Sequence, residues 1–488
     1  MELLNKSMTN FVERPIKVLQ FGEGGFLRAF VDYMIDIANE KGDFNGNIVI
    51  VKPIEFGNLD FFHQQDCQYT LELRGKENGE AKKIRRQITS VADAVGAVEE
   101  YDKFMGYASS EDLRFIVSNT TEAGIVFDDK DDFNAEPPKT YPGKLTKFLY
   151  TRFKAFNGAK DKGLIMLPVE LIDNNGPALK KCVFQFIELW NLGDEFKNWV
   201  TEACIFGSTL VDRIVTGYPR DEAESMWEDM GYRDNLLDTG ELFALWVIES
   251  EKEFKDEFPL DKAGLPVIFT DNQKPYKERK VRILNGAHTS FVLASFLAGN
   301  DIVLESMNDK TVRTFMENTI FNEVIPTLSL PEAECKEFAN AVIERFENPY
   351  VKHQLLSIAL NSVSKWRARC MPSLTGYINK KGELPKHLTF SIAALMAFYS
   401  ATEFAADGTL VGKRDGQDYT INDDKEVLDF FAANSTKPTA EFVQAYLSNV
   451  NFHGEDMTQY AGLADAVTGY LDDIKANGMR KALENVIQ

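Results

Sequence analysis

Short apolar runs alternate with amphipathic stretches along the first half of the chain. The runs are IKVLQF (16–21), NIVIVKPI (47–54), LRFIVS (113–118), GLIMLPVE (163–170) and LPVIFTD (265–271). Each has the length and composition of a buried strand. LRAFVDYMIDIANEKG has apolar residues at helical spacing and predicts a helix that ends at Gly42. Strands that alternate with helices predict an α/β fold with a parallel sheet wound on both sides.

The pattern changes after Asp271, where long helical periodicities replace the alternation. We therefore predict two domains: an α/β domain over residues 1–273, and a mostly α-helical domain over residues 274–488. The apolar run that starts at Leu388 is too short to span a bilayer and predicts a buried helix. The polar segment 128–143 contains prolines and predicts a loop, either an insertion or a lid.

Composition narrows the classes of partner. The 488 residues carry a net charge of -21, which disfavours binding to nucleic acid because phosphates are repelled, but which allows a local basic pocket. The five cysteines are scattered without a CxxC pair, and the five histidines show no metal-ligand spacing, so we expect neither a disulfide framework nor a metal site. The amino-terminal stretch lacks a signal-like apolar core, and we expect a cytoplasmic protein with a small-molecule substrate. The oligomeric state stays open.

A glycine-rich turn follows the first predicted strand. In FGEGGF, the glycines Gly22, Gly24 and Gly25 lie where backbone amides and a helix start can approach a pyrophosphate. The full GxGxxG pattern is not met, because Leu27 stands at the third glycine position. The position of the turn after the first strand favours a dinucleotide site over a simple tight connection.

The choice between NAD and NADP is not fixed by spacing. Near the end of the second predicted strand, Lys52 could bind a 2′-phosphate, whereas Glu55, slightly late in position, could bind a ribose 2′-hydroxyl. Asn119 and Thr120 follow another predicted strand and suit the nicotinamide ribose, although this stretch alone favours an ordinary hydrogen-bonded loop.

The stretch KPYKERKVRILNGAHTSF, from Lys274 to Phe291, gathers five Lys or Arg side chains and His288 in an otherwise acidic chain. If a helix starts near its proline, Asn285 and His288 share one face, and Lys280 lies about 80° round from His288. A lysine in such a place can act as general acid or base, with the other two side chains holding the reacting oxygen. A solvated basic helix with one core histidine is the alternative, and the residues alone slightly favour it.

The motifs FGEGGFLRAF, SNTTEAG, STLVDRIVTGYPRDE and KPYKERKVRILNGAH together resemble the polyol-specific long-chain dehydrogenases, a family that includes mannitol dehydrogenase and the hexuronate reductases. The resemblance covers nearly the whole chain. It implies a Rossmann-type domain, a helical domain, an active site between them, and NAD as cofactor. It assigns Lys280 as the acid/base, with Asn285 and His288 on the substrate carbonyl. With the positional arguments above, the predicted cofactor residues are Phe21, Gly22, Gly24, Gly25, Phe26, Glu55, Asn119 and Thr120. The predicted substrate residues are Asp212, Arg213 and Lys365, which match family positions, and Lys277, a candidate cation.

Three departures from the mannitol dehydrogenase pattern bear on the substrate. Leu171 replaces an asparagine, Ser357 replaces a substrate arginine, and Lys277 replaces a glutamate. They argue against mannitol and favour a sugar acid. Within the family the resemblance is strongest to hexuronate reductases, which implies reduction of D-tagaturonate to D-altronate in galacturonate catabolism. Reduction of D-fructuronate to D-mannonate, or oxidation of mannitol or another polyol, are the alternatives. The cation for the substrate carboxylate stays open among Lys277, Lys365, Arg367 and Arg213.

Overall fold

The computed structural model describes residues 1–41, 44–121 and 123–488. The chain divides into two compact units. The first contains Met1–Arg74 and Lys82–Gln273, and the second contains Gly75–Ala81 and Lys274–Gln488. The second unit is therefore built from the carboxyl-terminal part of the chain and one short piece of the amino-terminal part.

A six-stranded parallel sheet forms the centre of the first unit. Its strands are β1 (Ile16–Phe21), β2 (Asn47–Lys52), β5 (Val91–Gly96), β6 (Phe115–Ser118), β7 (Ile165–Pro168) and β8 (Ile205–Phe206), in the order β5-β2-β1-β6-β7-β8. Counting only these six, the order is 3-2-1-4-5-6, the doubly wound arrangement of dinucleotide-binding sheets. The predicted α/β class is thereby confirmed.

Both faces of this sheet are buried, as the near-continuous apolar runs predicted. Along β1, Val18 packs into one hydrophobic cluster, whereas Leu19 and Phe21 pack into the cluster on the other face. The same alternation holds in β2, where Ile48 and Val49 belong to different clusters. Side chains that alternate between two buried faces explain why these strands are mostly apolar and show no regular alternation of polar and apolar residues.

Two small sheets complete the first unit. β3 (Tyr69–Glu77), β4 (Glu80–Ile88) and β10 (Asp238–Glu241) form one, in the order β10-β3-β4. β9 (Ser208–Asp212), β11 (Leu245–Glu249) and β12 (Val267–Thr270) form the other, in the order β12-β11-β9. The run LPVIFTD is β12, so it is a strand as predicted, but it pairs with β11 and does not join the six-stranded sheet.

Helices connect the strands of the first unit. They are α1 (Gly25–Leu27), α2 (Tyr33–Glu40), α3 (Asp60–Gln64), α4 (Tyr101–Gly106), α5 (Tyr141–Ala155), α6 (Asn175–Leu189), α7 (Asp194–Ala203) and α8 (Ala223–Met230). A π turn, Arg28–Asp32, joins α1 to α2 without a break. The helix ends at Glu40, and Gly42, its predicted end, lies outside the described residues.

The segment 128–143 is a pinned loop whose last residues enter α5. The Asp131 carboxylate accepts hydrogen bonds from the backbone amides of Lys139 (2.6 Å) and Thr140 (2.7 Å). The Trp190 indole donates to the Asp131 carbonyl at 3.0 Å. These contacts hold the loop against the body of the first unit, and its possible part as a lid stays a prediction.

The second unit is mostly helical, as predicted. Its helices are α9 (Lys274–Arg279), α10 (Gly286–Leu297), α11 (Val303–Asn308), α12 (Lys310–Asn318), α13 (Glu332–Phe346), α14 (Leu355–Ile358), α15 (Ser362–Arg369), α16 (Met371–Lys381), α17 (Lys386–Phe398), α18 (Lys425–Asn434), α19 (Thr439–Leu447), α20 (Val450–His453), α21 (Leu463–Asn477) and α22 (Met479–Val486). One hairpin, β13 (Leu410–Arg414) and β14 (Gln417–Ile421), interrupts them.

Helices α10 and α17 pack on each other and are buried over most of their length, including the apolar run from Leu388 that predicted a buried helix. Across the described residues, no helix has both the length and the apolar character that crossing a bilayer requires.

Candidate active site

The glycine turn closes the carboxyl end of β1 at the point where the strand order reverses. Gly22 has φ +128°, a conformation that side chains disfavour, and its amide donates to the Val51 carbonyl at 3.0 Å. A Cβ on Gly22 would lie 3.1 Å from Leu27 Cδ1 and 3.3 Å from the Asn119 carbonyl oxygen. Leu27, at the third glycine position, thus fills the space beneath the turn, and Gly22 must be glycine for both backbone and packing.

The next two glycines have different surroundings. Gly24 precedes the first residue of α1, and a Cβ there would meet nothing within 4 Å, so this side of the turn is open. A Cβ on Gly25 would lie 3.1 Å from the Asp238 carboxylate. No side chain caps the start of α1. Backbone N–H groups of a first helical turn have no partner within the helix, so the turn offers donors beside open space.

Ionisable groups are buried below this turn. Asp238 pairs with Arg28 at 3.6 Å, and burial raises the pKa of Asp238 to about 6. Burial also raises the pKa of Asp32 to about 7, although the Tyr69 hydroxyl donates to its carboxyl at 2.9 Å. The Gln20 amide contacts Asp32 and donates to the Gly22 carbonyl at 3.3 Å. Within the described residues, Asp32 Oδ1 is buried without a hydrogen-bond partner, which favours a protonated carboxyl.

Lys52 does not offer its charge to a ligand. The side chain is buried, and its ammonium donates to the carbonyls of Ile54 (2.7 Å) and Glu55 (3.1 Å) and to the Glu99 carboxylate (2.6 Å). The ammonium is thereby saturated with acceptors, which weakens the sequence argument for a 2′-phosphate. Glu55 itself lies exposed in the bend after β2. Its part in cofactor binding stays a prediction.

The polar residues after β6 are tied to a buried acid. The Glu170 carboxylate accepts from the Ser118 hydroxyl at 3.1 Å and from both the amide and the hydroxyl of Thr120 at 2.9 Å. The backbone N–H of Asn119 donates to the Phe21 carbonyl at 3.0 Å, which places Asn119 beside the glycine turn. Leu171, next to Glu170, is 68% exposed. The structure therefore brings Asn119 to the turn and gives Thr120 a structural hydrogen bond.

Asp212 and Arg213 are both buried at the end of β9. The Arg213 guanidinium donates to the backbone carbonyls of Ala29 (2.6 Å), Phe243 (2.9 Å) and Leu242 (3.1 Å). It also lies over the Tyr33 ring, and burial lowers the pKa of the guanidinium to about 10. These contacts favour a structural part for Arg213, and they leave the assignment of Asp212 and Arg213 to substrate a prediction.

In the second unit, Lys280 is the first residue and Asn285 the last residue of a π turn. Helix α9 runs into the π turn Lys280–Asn285, which runs into α10 without a break. The helix starts at Lys274, beside the proline that predicted it. In a regular α-helix, residues five apart would lie about 140° apart around the axis. A π turn closes its hydrogen bonds over five residues, so it brings Lys280 and Asn285 toward one face. Periodicity did not predict this turn, and π turns are frequent at functional sites.

His288 follows one turn later with a buried, unsatisfied nitrogen. Its ring stacks on Phe346, with centroids 4.2 Å apart, and meets the His353 ring edge-on at 5.4 Å. Within the described residues, Nε2 of His288 is buried without a hydrogen-bond partner. Burial and then the charges of His353 and Arg345 hold the pKa of His288 well below its usual range. A neutral imidazole with one unsatisfied nitrogen suits a hydrogen bond to a ligand.

Several cations surround His288 that the sequence motifs did not identify. Arg345, Arg369 and Lys365 all act on its charge state. Of these, only Lys365 was predicted; Arg345 belongs to the segment RFENP and Arg369 to α15. Lys277 is half-buried one turn before the π turn. Arg367, by contrast, is exposed and donates to the Asn451 carbonyl at 3.4 Å. The available signal for Arg369 was its position four residues after the predicted Lys365, which places both on one helix face.

No cluster of three or more His, Cys, Asp or Glu side chains suited to a metal ion occurs in the part of the chain that the structure describes. His63 Nε2 donates to the Ala94 carbonyl, His387 pairs with buried Glu323, and His453 lies against the Tyr446 carbonyl. The five cysteines are free and buried. The candidate site residues that the structure describes therefore lie at the glycine turn in one unit and at the π turn, with its surrounding cations, in the other.

Relatives of known name match this chain over its full length. Altronate oxidoreductases from Yersinia enterocolitica (45% identical, covering 99% of each chain), Enterobacter sp. strain 638 (46%, 97% of each) and Phocaeicola vulgatus (43%, 100% of each) are among them.

Two solved structures share the fold. One is Pseudomonas fluorescens mannitol 2-dehydrogenase in a ternary complex with NAD and D-mannitol, with a TM-score of 0.64 at 20% identity over 100% of this chain and 99% of that chain. The other is a substrate-free D-sorbitol dehydrogenase, with a TM-score of 0.76 at 21% identity over 99% of this chain and 100% of that chain.

Family profiles agree with these relatives. The profile of the mannitol dehydrogenase Rossmann domain matches residues 16–262, and that of the mannitol dehydrogenase C-terminal domain matches residues 272–475. The resemblance inferred from the glycine turn and the Lys-Asn-His motif is thereby confirmed. The chain belongs to the mannitol dehydrogenase family.

Proposed function

We propose that the protein is an NAD-dependent oxidoreductase that reversibly reduces D-tagaturonate to D-altronate. The observation that carries the proposal is the unsatisfied Nε2 of His288, set among cations one turn after the π turn Lys280–Asn285. The geometry supports carbonyl chemistry on an anionic substrate. The relatives named altronate oxidoreductase, at 43–46% identity over full length, support the particular sugar acid.

The glycine turn fits a dinucleotide. Gly22, Gly24 and Gly25 leave backbone donors beside open space at the start of α1, and a Cβ on Gly24 would stand in that space. When bound, the reduced nicotinamide supplies the hydride that reduces the carbonyl carbon. Because the Lys52 ammonium is saturated by Glu99 and two backbone carbonyls, the region after β2 offers a 2′-phosphate little positive charge, which supports NAD rather than NADP.

Lys280, Asn285 and His288 act together on the substrate carbonyl oxygen. In the reductive direction the Lys280 ammonium gives its proton to that oxygen as negative charge develops there. The Asn285 amide and an Nε2-protonated, neutral His288 donate hydrogen bonds to the same oxygen and stabilise the charge. In the oxidative direction neutral Lys280 takes the hydroxyl proton. The π turn serves this arrangement because it brings Lys280 toward the face that carries Asn285.

The test follows reduced-nicotinamide absorbance with purified protein. NADH and NADPH are each offered with D-tagaturonate, D-fructuronate and D-fructose. Rapid oxidation of NADH with tagaturonate is the expected result. Preference for fructuronate would keep the chemistry and change the substrate to the epimer that yields D-mannonate. Oxidation with fructose alone would place the protein among polyol dehydrogenases and overturn the sugar-acid proposal.

A further inference from the structure

Helix α15 presents two cations on one face. Lys365 and Arg369 are four residues apart, which places them one above the other on the helix. Both are half-buried, and burial lowers the pKa of each, so each has lost part of its hydration. The Lys365 ammonium donates to the Ile358 carbonyl at 3.0 Å, whereas Arg369 donates to the Thr289 hydroxyl at 3.3 Å.

The end of helix α15 lies close to the start of α10, directly after the π turn Lys280–Asn285. A Cβ on Gly286 would lie 3.2 Å from the Arg369 carbonyl oxygen, and the Cys370 thiol contacts the Gly286 carbonyl at 3.5 Å. Gly286 follows Asn285, and Thr289 follows His288. The end of α15 is therefore fixed against the turn of α10 that carries both proposed carbonyl-binding side chains.

These two cations have no direct ion-pair partner among the described residues. No carboxylate forms an ion pair with Arg369 or Lys365 in the ranges that the structure describes. Asp423, the one acid that acts on Lys365, accepts from the Tyr399 hydroxyl at 2.6 Å. A chain with a net charge of -21 thus keeps two partly desolvated cations without acidic partners beside the unsatisfied nitrogen of His288. Such an arrangement is costly unless an anion completes it.

We propose that Arg369, supported by Lys365, binds the carboxylate of the substrate and determines the preference for a sugar acid over a neutral sugar. A guanidinium matches a carboxylate with two parallel hydrogen bonds, which a hydroxymethyl group cannot accept in the same way. The other candidates fit less well, since Arg213 is used by backbone carbonyls and Arg367 is exposed. This inference rests on the proposed function.

The experiment measures kcat and KM for D-tagaturonate and for D-tagatose, its neutral counterpart, with wild type, R369Q, R369K and R367Q. Loss of a charge-assisted hydrogen-bonded pair should raise the KM of R369Q for tagaturonate about 10- to 100-fold, with kcat within about threefold. The KM for tagatose should change less than about threefold. R369K, which keeps the charge without the fork, should fall between wild type and R369Q.

R367Q is the matched control, because Arg367 lies on the same helix and faces Asn451, and both of its KM values should stay within about twofold. An equal KM rise for both sugars in R369Q, or no rise for either, would overturn the proposal, as would a fall in kcat alone. If circular dichroism shows R369Q to be unfolded, R369K decides by the same comparison. Absence of wild-type activity on any keto-hexuronate would instead refute the proposed function, which separates the two failures.

Discussion

Replacing Asp32 by asparagine should stabilise the first unit at alkaline pH. Asp32 ends the π turn of the first helix, and its carboxyl is fully buried beside Gln20 and the Tyr69 hydroxyl. Asparagine has the same shape and keeps an acceptor for Tyr69, but it cannot ionise. The substitution therefore removes a buried charge at high pH without opening a cavity.

The sign follows from the raised pKa. Because the folded carboxyl holds its proton more tightly than the unfolded one, its favourable contribution is fully present below about pH 3.8 and is lost as the pH rises to about 7. The complete rise from 3.8 to about 7 corresponds to roughly 4 kcal/mol of unfolding free energy. Between pH 5 and pH 8 the variant should gain about 3 kcal/mol on the wild type.

Urea unfolding at pH 5, 6, 7 and 8 measures this difference. Four of the five tryptophans, at positions 190, 199, 227 and 246, lie in the first unit, so intrinsic fluorescence reports mainly on it. Asp36→Asn is the matched control from the same helix. It replaces the carboxylate oxygen that accepts from Arg86 (2.6 Å) by an amide NH2, while the remaining oxygen can still accept from the Thr89 amide (2.7 Å). The loss of the ion pair should destabilise the unit at pH 8, opposite in sign to Asp32→Asn.

A difference between Asp32→Asn and wild type that stays within about 0.5 kcal/mol from pH 5 to pH 8 would refute the reasoning. It would mean that the Asp32 carboxyl is ionised throughout this range, with a compensating partner, and that burial does not control its proton.

Further substitutions test the two chemical centres. Lys280→Ala should lower kcat by about two to four orders of magnitude, while Lys274→Ala, at the exposed start of the same helix, should leave kcat within about twofold in the same steady-state assay. Gly22→Ala should lower the unfolding free energy by about 1–3 kcal/mol in urea titrations, because its φ of +128° strains any side chain. Gly24→Ala should leave that free energy within about 0.5 kcal/mol but weaken NADH binding in fluorescence titrations, since its Cβ enters open space at the turn. Ser357→Arg should raise kcat/KM for fructose relative to tagaturonate; an unchanged ratio would remove Ser357 from the specificity argument.

Local sequence patterns were sufficient to predict the central strands of the first unit. The strand IKVLQF is β1 at the predicted bounds, and NIVIVKPI contains β2, because strands buried on both faces are mostly apolar and end in polar turns. LPVIFTD was equally clear as a strand, yet its sheet depends on pairing with β11, about twenty residues earlier, which no local pattern encodes.

The sequence indicated where cationic side chains lie, but it did not indicate which groups those cations contact. Lys52 and Arg213 are cations in plausible positions, but long-range contacts decide that their charges serve Glu99 and backbone carbonyls. The π turn at Lys280–Asn285 was hidden for a different reason. Its single widened turn lies inside a continuous helix, so the apolar periodicity on either side stays helical. Arg369 was missed because its significance comes from the close approach at Gly286.

The inclusion of Gly75–Ala81 in the second unit has a consequence for folding during translation. Lys76 pairs with Glu347, and the Gly79 amide donates to Glu344, so residues made near the start of translation complete a structure whose other parts are made some two hundred residues later. Glu347 directly follows Phe346, the ring on which His288 stacks. The segment around Lys76 must therefore wait unpaired until the later helices are synthesised. A fragment that begins at Lys274 would lack Lys76 and would leave Glu347, next to the ring that stacks on His288, with Arg313 as its cationic partner.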